Sequence, residues 1–161
     1  VERLNSAAYK YVLLHNPEEA IAAEGGALST LDDAFSVLEE SARSGLINAW
    51  GLASWSGLYA TAGTPEHIDL ATLLDRLDAS LGAHHFKIIQ APMGLWNLQK
   101  FNSATQKRRE DGQSMTLAGF CQDQNLQLML NAAFDGGRWS PQCAEDPVLR
   151  EFNPADIFRR D

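Results

Sequence analysis

Residues 11–18 read Tyr11-Val12-Leu13-Leu14-His15-Asn16-Pro17-Glu18, an apolar run that ends abruptly in polar, turn-forming residues. Four apolar residues in a row are typical of a strand that is covered on both faces, as in a parallel sheet. Pro17 ends this strand, because the residue before a proline is biased towards extended or turn conformations. His15 is therefore expected at the carboxyl end of a strand, where β/α proteins carry their active sites, and it is the first catalytic candidate.

Strands and helices alternate along the rest of the chain. The predicted strands are 10–15, 46–55, 86–90 and 126–131. The predicted helices are 29–45, 64–81 and 116–124, with the end of a further helix at 4–8. An acidic, Ala/Gly-rich loop is predicted at 18–26, and a polar insertion lies at 99–112. Helices between strands at this spacing predict a parallel sheet, and so an α/β fold of about four βα units over residues 1–142, followed by a tail at 143–161.

Length and composition limit the possible classes of protein. With 161 residues, 45% hydrophobic and 21% charged, the chain has a soluble-globular composition but is too short for a complete eight-fold β/α barrel of typical size. A net charge of −8 disfavours nucleic-acid binding. We predict a cytoplasmic protein, because no apolar run of about 18 residues and no signal peptide is present. Cys121 and Cys143 lack metal-ligand spacing, so we expect free thiols and no metal site.

A series of short segments carries a resemblance to a known family. They include Leu14-His15-Asn16-Pro17-Glu18, Trp50-Gly51-Leu52-Ala53-Ser54-Trp55-Ser56-Gly57, Ile89-Gln90-Ala91-Pro92 and the strand exit from Asn131 to Gly137. The others are Leu38-Glu39-Glu40 through Ser44-Gly45-Leu46-Ile47, His84-His85-Phe86 and Asn97-Leu98. In order and spacing, residues 3 to 139 resemble the central and C-terminal part of an aldo-keto reductase. The resemblance implies a partial (β/α) barrel of the TIM type and NAD(P)H-dependent reduction of a small-molecule carbonyl substrate.

The same resemblance implies roles for individual residues. His15 matches the histidine that hydrogen-bonds the substrate carbonyl. Ser54 and Gln90 match the residues that contact the nicotinamide carboxamide of NADP(H), and Trp55 stands in the cofactor site where many members have Asn. Asn16 and Asn131, at the ends of the first and fourth predicted strands, are expected to line the substrate site. His84 and His85 precede a strand at the opposite edge, so packing or surface roles are expected for them.

The departures from the family pattern leave two classes of function open. The family's proton-donor Tyr, with its Asp and Lys, belongs to strands that precede this segment, and neither Tyr9 nor Tyr11 can replace it from within a strand. The first class is an oxidoreductase, or a segment of one, whose other strands come from elsewhere. The alternative is a non-redox, reductase-like scaffold that acts as a binding partner, or a His15-dependent proton-transfer enzyme such as a cyclase or lyase. Since a half-barrel has two exposed edges, we expect a homo-oligomer or a complex with a chain supplying the missing strands.

Overall fold

The computed structural model describes residues 9–94 and 97–133. A four-stranded parallel sheet and a two-stranded antiparallel hairpin form its β-structure. The strands are β1 (Tyr9–His15), β2 (Ile47–Ala53), β3 (Phe86–Pro92), β4 (Gln106–Lys107), β5 (Ser114–Met115) and β6 (Gln127–Asn131). The parallel sheet has the order β1-β2-β3-β6, and β4 pairs with β5 in the hairpin.

Helices connect the strands of the parallel sheet. They are α1 (Pro17–Ala23), α2 (Asp32–Arg43), α3 (Leu70–Leu81), α4 (Leu98–Phe101) and α5 (Leu117–Asp123), with a 3-10 helix at Leu28–Leu31. The α/β class and all four predicted parallel strands are confirmed. The expected helix end at 4–8 and the tail at 143–161 lie outside the described residues. None of the helices in the described segments is long and apolar enough to cross a membrane.

The loop predicted directly after the first strand is wrong. The predicted loop at 18–26 contains helix α1, which begins at Pro17 after Asn16 adopts a left-handed conformation with φ of 49°. Pro is favoured at this first helical position, since its fixed φ suits the helix and its missing N–H has no partner there anyway. The predicted polar insertion also contains short regular elements, α4 and β4.

The start predicted for the second long helix is wrong by several residues. Helix α3 begins at Leu70, and Asp69 caps it by accepting hydrogen bonds from the N–H groups of Ala71 and Thr72. Thr64 instead donates its hydroxyl to the carbonyl of Thr61 within a turn. The carboxylate of Asp69 is the stronger cap, because it satisfies two amides that have no partner inside the helix.

One face of the sheet packs against the helices to form the core. Strand β2 is the centre of this core, because all of its residues except Asn48 are buried. The Trp50 ring stacks on Phe35 of α2 at a centroid distance of 5.4 Å and meets the edge of Phe86 at 5.1 Å. Leu14, Leu52 and Ile89 belong to the same apolar cluster. The helices therefore cover one face of the sheet, and this packing determines which side chains of each strand point into the core.

A close approach of two backbones occurs at Gly51. The pairing of β2 with β3 is irregular between Trp50 and Gly51, and a Cβ added at Gly51 would lie 1.7 Å from the carbonyl oxygen of Ile88. Only glycine leaves room for this contact, which is a recognised use of glycine inside a strand.

We predict that Gly51→Ala destabilises the fold by more than about 4 kcal/mol or prevents folding, because the two central strands would have to separate. Gly63→Ala is the matched control: Gly63 has φ of 90° but no atom within 4 Å of an added Cβ. The Gly63→Ala variant should lose only about 1 kcal/mol of its free energy of unfolding. Urea unfolding followed by far-UV circular dichroism measures this free energy for both variants. Equal losses in the two variants would contradict the close approach at Gly51.

Candidate functional site

The strand register brings the predicted site residues to one edge of the sheet. His15 pairs with Ala53, Ala53 with Gln90, and Pro92 with Asn131. We call this edge the carboxyl rim, and it comprises His15, Asn16, Ser54, Trp55, Gln90 and Asn131. Since neighbouring strands lie about 4.8 Å apart, the Cα atoms of His15 and Gln90 are separated by roughly 10 Å.

Three backbone hydrogen bonds continue the pairing past the ends of the strands. The N–H of Asn16 donates to the carbonyl of Ala53 at 2.7 Å, and the N–H of Ser54 donates to that of Gln90 at 3.0 Å. The N–H of Met93 donates to the carbonyl of Asn131 at 2.9 Å. The backbone that carries the carboxyl rim is therefore held in place by the sheet.

His15 and Gln90 lie on the face of the sheet opposite the helices. Side chains alternate along a strand, and Leu14, Leu52 and Ile89, one residue earlier, belong to the helix-packed core. His15 is exposed and Gln90 is half-buried. In closed β/α folds this face is the interior of the barrel, and its carboxyl end carries the active site.

Gln90 and Asn131 are joined by a hydrogen bond between their side chains. The Asn131 amide donates its Nδ2 to Oε1 of Gln90 at 3.2 Å. Because an amide has its acceptor and its donor at opposite ends, this contact leaves the Nε2 donor of Gln90 for another partner. The two predicted site residues therefore form one polar unit.

Ser54 and Trp55 differ greatly in exposure, although they are neighbours. Ser54 is 4% exposed and its hydroxyl oxygen has no hydrogen-bond partner within the described structure, whereas Trp55 is 52% exposed. Trp55 can thus contact a ligand directly. The hydroxyl of Ser54 can do so only if the turn that follows β2 opens.

Glu18 is a buried carboxylate below the carboxyl rim that sequence reasoning did not select. It is 3% exposed, and its Oε1 accepts hydrogen bonds from the backbone N–H groups of Trp55 at 2.8 Å and Ser56 at 2.9 Å. Burial raises the pKa of the Glu18 carboxyl, but hydrogen bonds from the backbone N–H groups of Ser56, Glu18 itself and Trp55 lower it below its usual 4.5. The group is therefore a charged carboxylate at neutral pH.

The opposite, amino-terminal end of the sheet holds a second buried carboxylate. Glu39 is 1% exposed and accepts hydrogen bonds from the Trp50 indole, the backbone and ring of His85, and the Arg43 guanidinium. Burial opposes the charge, but the donors from His85 and Trp50 lower the pKa of Glu39 to about 2. His84 pairs with Asp78 at 3.2 Å. Both histidines thus make packing contacts away from the carboxyl rim, as predicted.

The described segments contain neither a metal-binding group of side chains nor a reactive thiol. These segments contain no group of three or more His, Cys, Asp or Glu side chains that could hold a metal ion. Burial raises the pKa of the Cys121 thiol to about 12, so Cys121 is a poor nucleophile. Cys143 lies outside the described residues.

No protein-family model, no curated protein and no solved structure matches this chain. The interpretation of the carboxyl rim therefore depends on its own geometry and chemistry.

The low pKa of Glu39 predicts how stability depends on pH. Its value in the folded state, about 2, lies below the usual 4.5, so this carboxylate stabilises the fold above pH 4.5 and the contribution is lost as the pH falls towards 2. Between pH 7 and pH 3 the wild type should lose about 2 kcal/mol more than Glu39→Gln. Urea unfolding at these two pH values measures the difference. Glu40→Gln, on the exposed side of the same helix, should behave like the wild type. If the free energy of unfolding of Glu39→Gln had the same pH dependence as that of the wild type, the low pKa of Glu39 would be refuted.

Proposed function

We propose that this chain forms part of a (β/α) barrel oxidoreductase of the aldo-keto reductase type, which reduces a small-molecule carbonyl with NAD(P)H. The observation that carries the proposal is the strand register, which brings His15 and Gln90 to the carboxyl rim on the face opposite the helices. The resemblance of the sequence segments to this family supports the same function.

His15 supplies the group that orients the substrate. It is exposed at the end of β1, and an imidazole N–H can donate a hydrogen bond to a carbonyl oxygen. Such a donor becomes more favourable as negative charge develops on that oxygen during reduction. Asn16 and Asn131 lie at the ends of the two outer strands and would line the substrate site.

The accessible amides of the carboxyl rim fit the carboxamide of a nicotinamide ring. That carboxamide has one acceptor oxygen and one donor nitrogen, and the Nε2 of Gln90 is available to donate. Trp55 offers an aromatic surface beside it. A contact from the Ser54 hydroxyl remains a prediction, which requires movement of the turn after β2. When bound, NAD(P)H would supply the hydride.

The proton required for carbonyl reduction would come from outside the described sheet. Tyr9 and Tyr11 lie within β1. Tyr59 is buried, donates its hydroxyl to the carbonyl of Pro92, and has a pKa raised to about 12 by burial and by Cys121. An acid is most useful when its pKa lies near the operating pH, so Tyr59 does not suit the role, whereas Tyr9 and Tyr11 are unsuited by their positions within the strand.

The same reasoning leads us to propose a partner that completes the barrel. Within the described residues β1 pairs only with β2, and β6 only with β3. Leu130 of β6, which follows Leu128 on the helix-packed face, is 47% exposed, so apolar surface lies next to this outer edge. A second copy of the chain, or a polypeptide carrying the remaining strands, would pair with these edges and cover the open face.

Light scattering at micromolar concentration tests the proposed assembly. We expect a dimer or a larger complex, because unpaired strand edges next to apolar side chains favour association. A compact monomer of 17.7 kDa that does not associate would contradict this proposal.

A titration with NADPH followed by nuclear magnetic resonance tests the proposed function on the chain itself. Binding should be weak, with a dissociation constant above roughly 0.1 mM, because few of the contacts that offset the cost of immobilising the cofactor are present. The side-chain amide signals of Gln90 and Asn131 and the indole N–H of Trp55 should shift. The indole N–H of Trp50, bonded to Glu39 at the opposite end, is the internal control. An unchanged carboxyl rim at millimolar NADPH would refute the cofactor proposal and favour a non-redox scaffold.

His15→Ala tests the role of the histidine. In the assembled protein it should reduce the rate of NADPH-dependent aldehyde reduction by about 10²-fold, because the developing oxyanion loses its donor. His84→Gln, at the amino-terminal end, is the matched control and should retain activity. Full turnover in His15→Ala would remove His15 from the proposed site.

A further inference from the structure

We propose that Glu18 is a positioning residue for the carboxyl rim: its carboxylate holds the turn at 54–57 so that Trp55 stands beside the ligand site. The ligand site itself rests on the function proposed above. The contacts of Glu18 are seen in the structure and do not depend on that function.

The chain path brings Glu18 to this turn. Asn16, in the left-handed conformation, and Pro17 reverse the chain directly after β1. The second residue of α1 therefore points back below the end of β2, where Glu18 is buried. Glu19, the next residue, is exposed, and its carboxylate accepts a hydrogen bond from the side-chain amide of Asn16 at 3.4 Å. The position of Glu18 therefore comes from this turn and not from its acidic character alone.

Glu18 binds two consecutive amides, one of which belongs to Trp55 itself. A single carboxylate oxygen accepts the N–H groups of Trp55 and Ser56, an arrangement in which successive backbone amides surround an anion. The orientation of the Trp55 peptide is thereby tied to helix α1. Without an acceptor, two part-buried backbone amides would lose their hydrogen bonds, and we expect the turn to shift in response.

Steric contacts hold the same turn from the other side. A Cβ added at Gly57 would lie 2.8 Å from the Cβ of Glu18 and 2.9 Å from Cδ1 of Ile68. The carbonyl of Gly57 also accepts a hydrogen bond from the N–H of Ile68 at 2.9 Å. The turn is thus packed closely at Gly57, between Glu18 and the segment that leads into α3.

The exposure of Trp55 indicates that Glu18 positions this residue and does not simply stabilise the core. Burying a charge is expensive, and an apolar side chain of similar volume often stabilises a fold equally well. Trp55 remains 52% exposed, so the Glu18 contact does not serve to bury it in the core. The result of the interaction between Glu18 and the turn is that the large aromatic ring of Trp55 is held at the carboxyl rim.

Two variants of Glu18 test the proposal. Glu18→Met keeps the volume but removes both acceptor oxygens, whereas Glu18→Gln keeps an acceptor for the two amides. In Glu18→Met, hydrogen exchange at the amides of Trp55 and Ser56 should accelerate at least about tenfold relative to those of Leu52 and Ala53. In Glu18→Gln the relative acceleration should stay below about threefold.

Fluorine resonance of 5-fluorotryptophan, assigned with Trp55→Phe, gives a second readout. The Trp55 signal should move in Glu18→Met and return towards the wild-type position in Glu18→Gln. Glu39→Gln is the matched control, since this carboxylate is equally buried but bonds to Trp50. It should move the Trp50 signal and leave that of Trp55 in place. Equal acceleration of all slow amides in Glu18→Met, or no rescue by Glu18→Gln, would overturn the positioning role.

NADPH titration of the same variants connects this role to the carboxyl rim. Glu18→Met should weaken the binding seen at Gln90 and Trp55 at least about fivefold, and Glu18→Gln should stay within about twofold of the wild type. If the wild type does not bind NADPH but the exchange and fluorine results hold, the proposed function fails and the positioning of Trp55 stands. If NADPH binds and Glu18→Met changes neither the local readouts nor affinity, the positioning role fails alone.

Discussion

Parallel pairing of β2 with β1 on one side and β3 on the other is the constraint on which the rest of the structure depends. It places His15, Ala53 and Gln90 in register at one edge. A slip of one residue in any strand would turn these side chains towards the helices and bring core leucines to the open face. Gly51 is part of the same constraint, since its lack of a side chain permits the close approach of Ile88 at the irregularity in the β2–β3 pairing.

Each end of the sheet has a buried carboxylate, Glu39 at the amino end and Glu18 at the carboxyl end. The two differ in the elements that their hydrogen bonds connect. Glu39 joins α2 to β2 and to the start of β3 through Trp50 and His85, which are parts of the framework. Glu18 joins α1 to the exit of β2, the place where a ligand would arrive. One oxygen of Glu18, Oε2, has no hydrogen-bond partner within the described structure. A carboxylate with this incomplete set of partners is better suited to orienting a turn than to strengthening a core.

Short-range patterns predicted the strands and most helices because apolar runs and helical spacing report burial directly. Phe35 and Ala42 lie on the buried face of α2, which falls within the predicted helix 29–45, and Gly45 follows this helix with φ of 77°. Helix α1 was missed because its alanines and the glycines after it were interpreted as a loop, although Pro17 suits a helix start. The sequence did contain a signal for Glu39, which is four residues after Phe35 and therefore on the same buried face. Glu18 offered no such signal, since only the contact with a turn 37 residues away distinguishes it from Glu19.

The most direct test of the central claim is a measurement of the strand register in solution. Cross-strand nuclear Overhauser contacts between backbone protons should connect Asn16 with Ala53, Ser54 with Gln90 and Met93 with Asn131, in agreement with the hydrogen bonds at these positions. A full set of these contacts would show that the polar strand ends form one rim. Contacts displaced by one residue, or an antiparallel pattern between β2 and β3, would separate His15 from Gln90 and contradict the account.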